Sequence, residues 1–185
     1  MSTSSLVISP DEMRAALVRL GALALADGVD LHLRITGGTV MMLEFKTRVT
    51  GTRDCDVLSA QPSEKLPEYA RIIAVEKGWP EKWLNKNASK FERDAKAPDD
   101  AATHEVFRCP GLLVTRPSTV RLLAWKLARY ADSVDQADAL DLLRSILSST
   151  PYSRESLALQ LDAHLSEIEV KRAIENLEDL WEALP

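Results

Sequence analysis

LHLRITGGTVMMLEFKTRVTGTRDCDVLSA, residues 31–60, decides the fold. Leu31, Leu33 and Ile35 alternate with His32 and Arg34, the period-two pattern of a strand with one apolar face. Gly37-Gly38 ends the strand, and TVMMLEF reads as a short helix. RDCDVLSA, from Arg53 to Ala60, reads as a second strand. The result is a β-turn-α-β unit with two aspartates on its second strand. Side chains alternate along a strand, so Asp54 and Asp56 share a face and Cys55 points into the core. Two carboxylates on one face repel each other. Either they face water, or a positive charge sits between them.

The flanking segments follow by the same rules. Upstream, SPDEMRAALVRLGALALADG opens with Ser9 as N-cap, Pro10 at the first helical position and Glu12 completing a capping box. Met13, Leu17, Leu20 and Ala24 form its buried stripe, with Ala16 and Leu23 at the edges. Downstream, residues 61–100 read as helical. SEKLPEYARIIAVEKG is closed by Gly78, and a second helix opens at Pro80 in WPEKWLNKNASKFE. HEVFRC and GLLVTR are two short strands joined by Pro110-Gly111. From Pro117 onward four helices are expected, and those after residue 150 carry a heptad-like pattern, with Ile168, Ile174, Leu177 and Leu184, that caps the core or packs on a partner. The expected class is α+β. A small mixed sheet with flanking helices occupies residues 1–116, and a helical bundle packed on it occupies 117–185.

Composition narrows the function. Of the 185 residues, 45% are hydrophobic and 28% charged, which fits a folded soluble chain. No apolar run spans a bilayer, so no membrane role is expected. The first residues, MSTSSLVISP, lack the basic and apolar stretches of a signal peptide, which points to the cytoplasm. The two cysteines fit reduced core residues, and the three scattered histidines do not suggest a zinc site. A net charge of −5 argues against bulk nucleic-acid binding. A local basic stripe of Lys82, Lys86, Lys90 and Arg93 would soften that argument if the segment is helical. It would serve either as a solvated face or as a patch for RNA phosphates.

The chemistry lies in residues 37–56. Oxygens of Asp54 and Asp56 can converge on a hard cation, and magnesium prefers few carboxylates plus substrate phosphates. Gly37 and Gly38 let backbone approach a phosphate with no Cβ in the way. Thr39 and the first N–H groups of its helix form an anion site. Such a turn facing a D-x-D strand can hold a nucleoside triphosphate with its metal.

This arrangement resembles the signature of the polymerase-beta-type nucleotidyltransferases, in which two small residues are followed by acid, hydrophobic residue, acid. GWPEKWLNKNASKF and STVRLLAWKLARYADSVDQADALDLL are similar to stretches of small bacterial nucleotidyltransferase-like proteins related to AbiEii-type toxins. The resemblance covers roughly residues 30–145. It implies that Lys126 contacts the triphosphate and that Asp135 or Asp138 sits beside it, orienting the lysine or assisting the attacking group. It further implies Mg2+, an NTP substrate, a hydroxyl acceptor on RNA such as tRNA or on protein, and a toxin role in a toxin–antitoxin or phage-defence pair. A cognate antitoxin or partner protein would then exist. The chain departs from the pattern at Thr36, where a hydrophobic residue is usual, in its spacer of 15 residues before Asp54, and at Val134, where a basic residue is usual. A third metal-binding acid has one candidate, Glu105.

Each residue also has an ordinary reading. Asp54 and Asp56 could be a solvent-facing strand end, or could form salt bridges to Arg48 and Arg53. Gly37-Gly38 could be only a tight turn. Lys126 could reach water from the edge of a core helix, and Asp135, Asp138 and Asp141 could be first-turn helix acids. Trp79, Trp83, Trp125 and Trp181 read as packing residues, and His104 as an exposed strand residue. The expected function is a magnesium-dependent nucleotidyltransferase. The alternative is a catalytically idle nucleotidyltransferase-like binding or regulatory module.

Overall fold

The computed structural model describes residues 7–89 and 104–184. They form a mixed α/β structure that divides into two compact units, with the division between Arg116 and Pro117.

The first unit opens with α1 (Pro10–Ala26). Ser9 Oγ accepts the Glu12 N–H at 3.3 Å, and the Glu12 carboxylate accepts the Ser9 N–H at 2.9 Å. This is the capping box read from Ser9, Pro10 and Glu12. Met13, Ala16, Leu17, Leu20 and Ala24 are fully buried. β1 (Leu31–Thr36) follows, with Leu31, Leu33 and Ile35 buried. α2 (Gly37–Val40) runs directly into a π-helical turn, Met41–Phe45, which ends at left-handed Lys46. Arg116 holds this turn in place. Its guanidinium grips Glu44 through two 2.5 Å contacts and lies over the Phe45 ring.

β2 (Cys55–Gln61) comes next, then α3 (Leu66–Lys77), closed by left-handed Gly78 as expected. Here the structure corrects the sequence reading. Residues 80–85 do not open a helix. Glu81–Trp83 form one 3-10 turn, and β3 (Leu84–Asn85) follows. Trp83 is buried, and its indole N–H donates to the Ala70 carbonyl at 2.9 Å. Leu84 and Asn85 pair with Cys55 and Asp56 of β2. Tertiary pairing overrides helix propensity at this point. Lys82 and Lys86 therefore share no helix face, and Lys90 and Arg93 lie outside the described residues. β4 (His104–Cys109) and β5 (Leu112–Arg116) form the expected hairpin across Pro110-Gly111.

The sheet has five strands in the order β3-β2-β1-β5-β4. β1 pairs antiparallel with β2 and parallel with β5, so the sheet is mixed. Leu31, Leu33, Ile35, Val57, Leu112 and Val114 form its apolar face. α1 packs on this face near β5 and also touches α3. By register, His32, Arg34, Thr36, Asp56 and Thr115 lie on the opposite face. The aspartate region therefore belongs to the polar side of a sheet whose other side is the core.

The second unit is helical in its described residues. It contains α4 (Thr119–Arg129), α5 (Ser133–Ser149), α6 (Arg154–Asp162) and α7 (Glu167–Glu182). α4 packs against the other three, around Leu122, Leu123, Leu127, Leu142, Leu143, Leu157 and Leu177. Side-chain oxygens cap the starts of α4, α5 and α6 from Ser118, Asp132 and Ser153. The heptad-like reading of α7 holds only in part. Leu177 is fully buried, but Ile168 is 90% exposed. Among the described residues, no helix is long and apolar enough to cross a membrane.

Candidate active site

β1 ends where the chain needs a left-handed residue. Gly37 has φ +71°, a conformation costly for any residue with a Cβ. The same residue is crowded: a Cβ at Gly37 would lie 2.7 Å from Asp56 Oδ2. Asp56 stands opposite Thr36 in the β1–β2 register. The carboxylate thus rests against the bare Cα of the glycine turn. Gly38 is crowded in a similar way. A Cβ there would meet Thr52 Oγ1 at 2.5 Å and Arg48 Nη1 at 2.7 Å. The two glycines therefore bring a carboxylate and a guanidinium close to one short piece of backbone.

Asp54 lies immediately before β2. Its carbonyl accepts the hydroxyls of Thr39 at 2.9 Å and Thr52 at 3.3 Å. Its carboxylate accepts Asn85 Nδ2 at 3.1 Å. Asp54 and Asp56 are half-buried, while Cys55 and Val57 between and beyond them are fully buried. Burial pushes the Cys55 thiol up to about 12, and the two flanking carboxylates act in the same direction. A neutral thiol below and two carboxylates above is what strand alternation predicts.

Two expectations need correction. Thr39 is fully buried at the third helical position, and its hydroxyl is turned inward onto the Asp54 carbonyl. It braces Asp54 rather than offering its hydroxyl to an outside anion. Glu105 is not brought to the pair. It lies on β4, three strands from β2, so at about 4.8 Å per strand it is roughly 14 Å away across the sheet. It is exposed and ion-paired to Arg108 at 2.7 Å, which holds its carboxyl below the usual range. Among the described residues no group of three or more His, Cys, Asp or Glu is placed to hold a metal.

Lys126, Asp135 and Asp138 meet within the second unit. Lys126 Nζ lies 2.8 Å from Asp135 Oδ1 and 2.6 Å from Asp138 Oδ2. Arg129 Nε approaches the other Asp135 oxygen at 2.9 Å. Two of the three N–H donors of the ammonium are thereby engaged. Asp135 and Asp138 are almost fully buried, which sets them apart from ordinary solvated first-turn acids. Asp141, in contrast, is half-exposed and faces Arg144 at 3.8 Å. Trp83 and Trp125 are buried as packing residues, and His104 is half-buried rather than exposed.

Thr52 and Asn85 lie on Asp54 and belong to no motif, and Arg48, expected only as an ion-pair partner of the aspartates, lies beside Gly38. The WLN stretch carried the only signal for Asn85, and the loop before the D-x-D carried the other two. A comparison of the chain with known proteins gave no matching family model, no similar curated protein and no similar solved structure.

Proposed function

We propose that this chain is a magnesium-dependent nucleotidyltransferase of the polymerase-beta type, with a nucleotidyltransferase-like sheet followed by a helical bundle. The observation that carries the reading is the contact of Asp56 with Gly37. A bare glycine turn at a helix start lies against one carboxylate of a D-x-D pair, and a Cβ would fill that space. The residues suit a hard cation. Two half-buried carboxylates supply oxygen ligands, and magnesium takes its remaining ligands from phosphates and water.

Asp54 and Asp56 would hold the ion, which neutralises phosphate charge and orients the triphosphate when bound. Gly37 and Gly38 would serve the phosphates by letting the Asp56 carboxylate with its ion and the Arg48 guanidinium close on the turn, where both would meet the triphosphate. An acceptor hydroxyl oxygen would bond to the α-phosphorus. The bond from that phosphorus to the bridging oxygen would break, pyrophosphate would leave, and the hydroxyl proton would pass to solvent. The acceptor class is RNA, such as tRNA, or protein. A cytoplasmic toxin within a toxin–antitoxin or phage-defence pair, opposed by a cognate partner protein, is the biological setting that the motif resemblance suggests.

A second reading has its own observation. Among the described residues a third acid is missing beside Asp54 and Asp56, which favours a binding module that holds nucleotide without turnover. Thermal unfolding with Mg2+ and each of the four NTPs tests the site. Ligand at a hundred times its dissociation constant stabilises a fold by about 2.7 kcal/mol. A shift with one NTP that Asp54→Asn/Asp56→Asn abolishes supports the site. Release of pyrophosphate then separates enzyme from module. No shift with any NTP sinks both readings.

A further inference from the structure

We propose that Asn85 is a positioning residue that makes the aspartate pair select Mg2+ over Ca2+. The inference rests on the reading of Asp54 and Asp56 as ligands of a divalent ion.

Asn85 is the second residue of β3 and stands opposite Asp56 in the β2–β3 register. Its amide orientation is set by its neighbours. The Asn87 backbone N–H lies 2.9 Å from Asn85 Oδ1, and an N–H can only donate, so this atom must be the carbonyl oxygen. The NH2 group must then face the other way, toward Asp54 Oδ2 at 3.1 Å. The same nitrogen also reaches the Lys82 carbonyl at 3.5 Å. The amide is thus held at both ends, and its nitrogen claims one oxygen of Asp54.

The backbone of Asp54 is equally fixed, because Thr39 and Thr52 both donate to its carbonyl. With its main chain braced and Oδ2 already accepting a hydrogen bond, Asp54 offers an ion its other oxygen more readily than both. That favours one-oxygen binding. Magnesium takes six ligands in a strict octahedron and suits such carboxylates. Calcium accepts six to eight oxygens and readily takes a carboxylate through both. A donor that occupies Oδ2 therefore works against calcium. Partners behind metal ligands typically change affinity 10- to 100-fold when removed.

The experiment follows Mn2+ binding by electron paramagnetic resonance, with Mg2+ and Ca2+ each titrated in competition. Wild type, Asn85→Ala and Asn85→Asp are compared, with Asp54→Asn as the blank. In wild type, Mg2+ displaces Mn2+ at least as well as Ca2+ does. In Asn85→Ala, Mg2+ affinity falls about tenfold or more. Ca2+ affinity falls less, so the ratio moves toward calcium. Asn85→Asp adds a third carboxylate, so its melting temperature rises more than that of wild type on adding Mn2+. If the alanine variant does not fold, Asn85→Ser carries the test, since its hydroxyl is too short to reach Asp54. An unchanged Mg2+:Ca2+ ratio in a folded variant overturns the role of Asn85 and leaves the ion site standing. Wild type that binds no Mn2+ beyond the Asp54→Asn blank overturns the ion site itself, and this inference with it.

Discussion

Lys126 and Asp138 form a 2.6 Å ion pair in which the lysine side chain is 13% exposed and the aspartate 3%. Asp135, equally buried, lies on the same ammonium at 2.8 Å. Buried charges are tolerated only when paired, and removal of one partner leaves the other uncompensated. Lys126→Met takes the ammonium away from both carboxylates, and Arg129, which approaches Asp135, is mostly exposed. We expect a loss of about 3–5 kcal/mol in denaturant unfolding. Asp138→Asn should cost less, because Lys126 keeps Asp135. A double-mutant cycle on Lys126 and Asp138 should give clear coupling. A Lys126→Met variant within 1 kcal/mol of wild type would show that the cluster is not the buried pair described.

The glycine turn yields an asymmetric pair of variants. Gly37→Ala places a side chain at φ +71° and 2.7 Å from Asp56 Oδ2. The left-handed backbone alone costs about 1–2 kcal/mol. Asp56 must also move, so any stabilisation by Mg2+ and NTP should vanish. Gly38→Ala carries no φ penalty, and one of its two close neighbours, Arg48 Nη1, is the end of a flexible side chain. It should unfold closer to wild type. Equal melting temperatures for the two variants would contradict this geometry.

Gly21 reverses the usual helix rule. Gly→Ala inside a helix normally stabilises by about 1 kcal/mol. In α1, however, a Cβ at position 21 would lie 2.6 Å from both Cys109 Sγ and the Pro110 carbonyl oxygen. The backbone carbonyl cannot step aside cheaply. Overpacking of this kind costs about 1–3 kcal/mol, so Gly21→Ala should be destabilising. Equilibrium unfolding decides the sign, and a stabilised variant refutes the close approach of α1 to the β4–β5 turn.

Much of this fold could be read locally. Ser9, Pro10 and Glu12 announced the start of α1, Gly78 the end of α3, and the alternation of Leu31, Leu33 and Ile35 the strand β1, because each signal is complete within a few residues. β3 could not be read. A strand of two residues has no period, and Leu84–Asn85 is a strand only because β2 lies beside it. The site divides in the same way. Asp54, Asp56 and the glycines are a motif, whereas the donor to Asp54 lies 31 residues away in Asn85. Thr39 was misjudged because the sequence shows a hydroxyl at a helix start but not which way it turns. Glu105 was misjudged because strand order, not sequence distance, sets how far it is from β2.

Cys55 gives a prediction in pH. Its thiol is fully buried and is pushed up to about 12, chiefly by burial and further by Asp54 and Asp56. In the unfolded chain a thiol ionises near 8.5. Between these values the native state holds a proton that the unfolded state has lost. The unfolded state binds fewer protons there, so stability falls as pH rises. The contribution is intact below about pH 8.5 and is lost progressively toward pH 12. Cys55→Ala lacks this group, so its stability should decline less steeply over the same range, although a cavity lowers its value at neutral pH. Urea titrations at intervals from pH 7 to 11 measure the two slopes. Parallel alkaline limbs would show that Cys55 ionises as readily in the folded protein as outside it, contrary to its place beneath the aspartate pair.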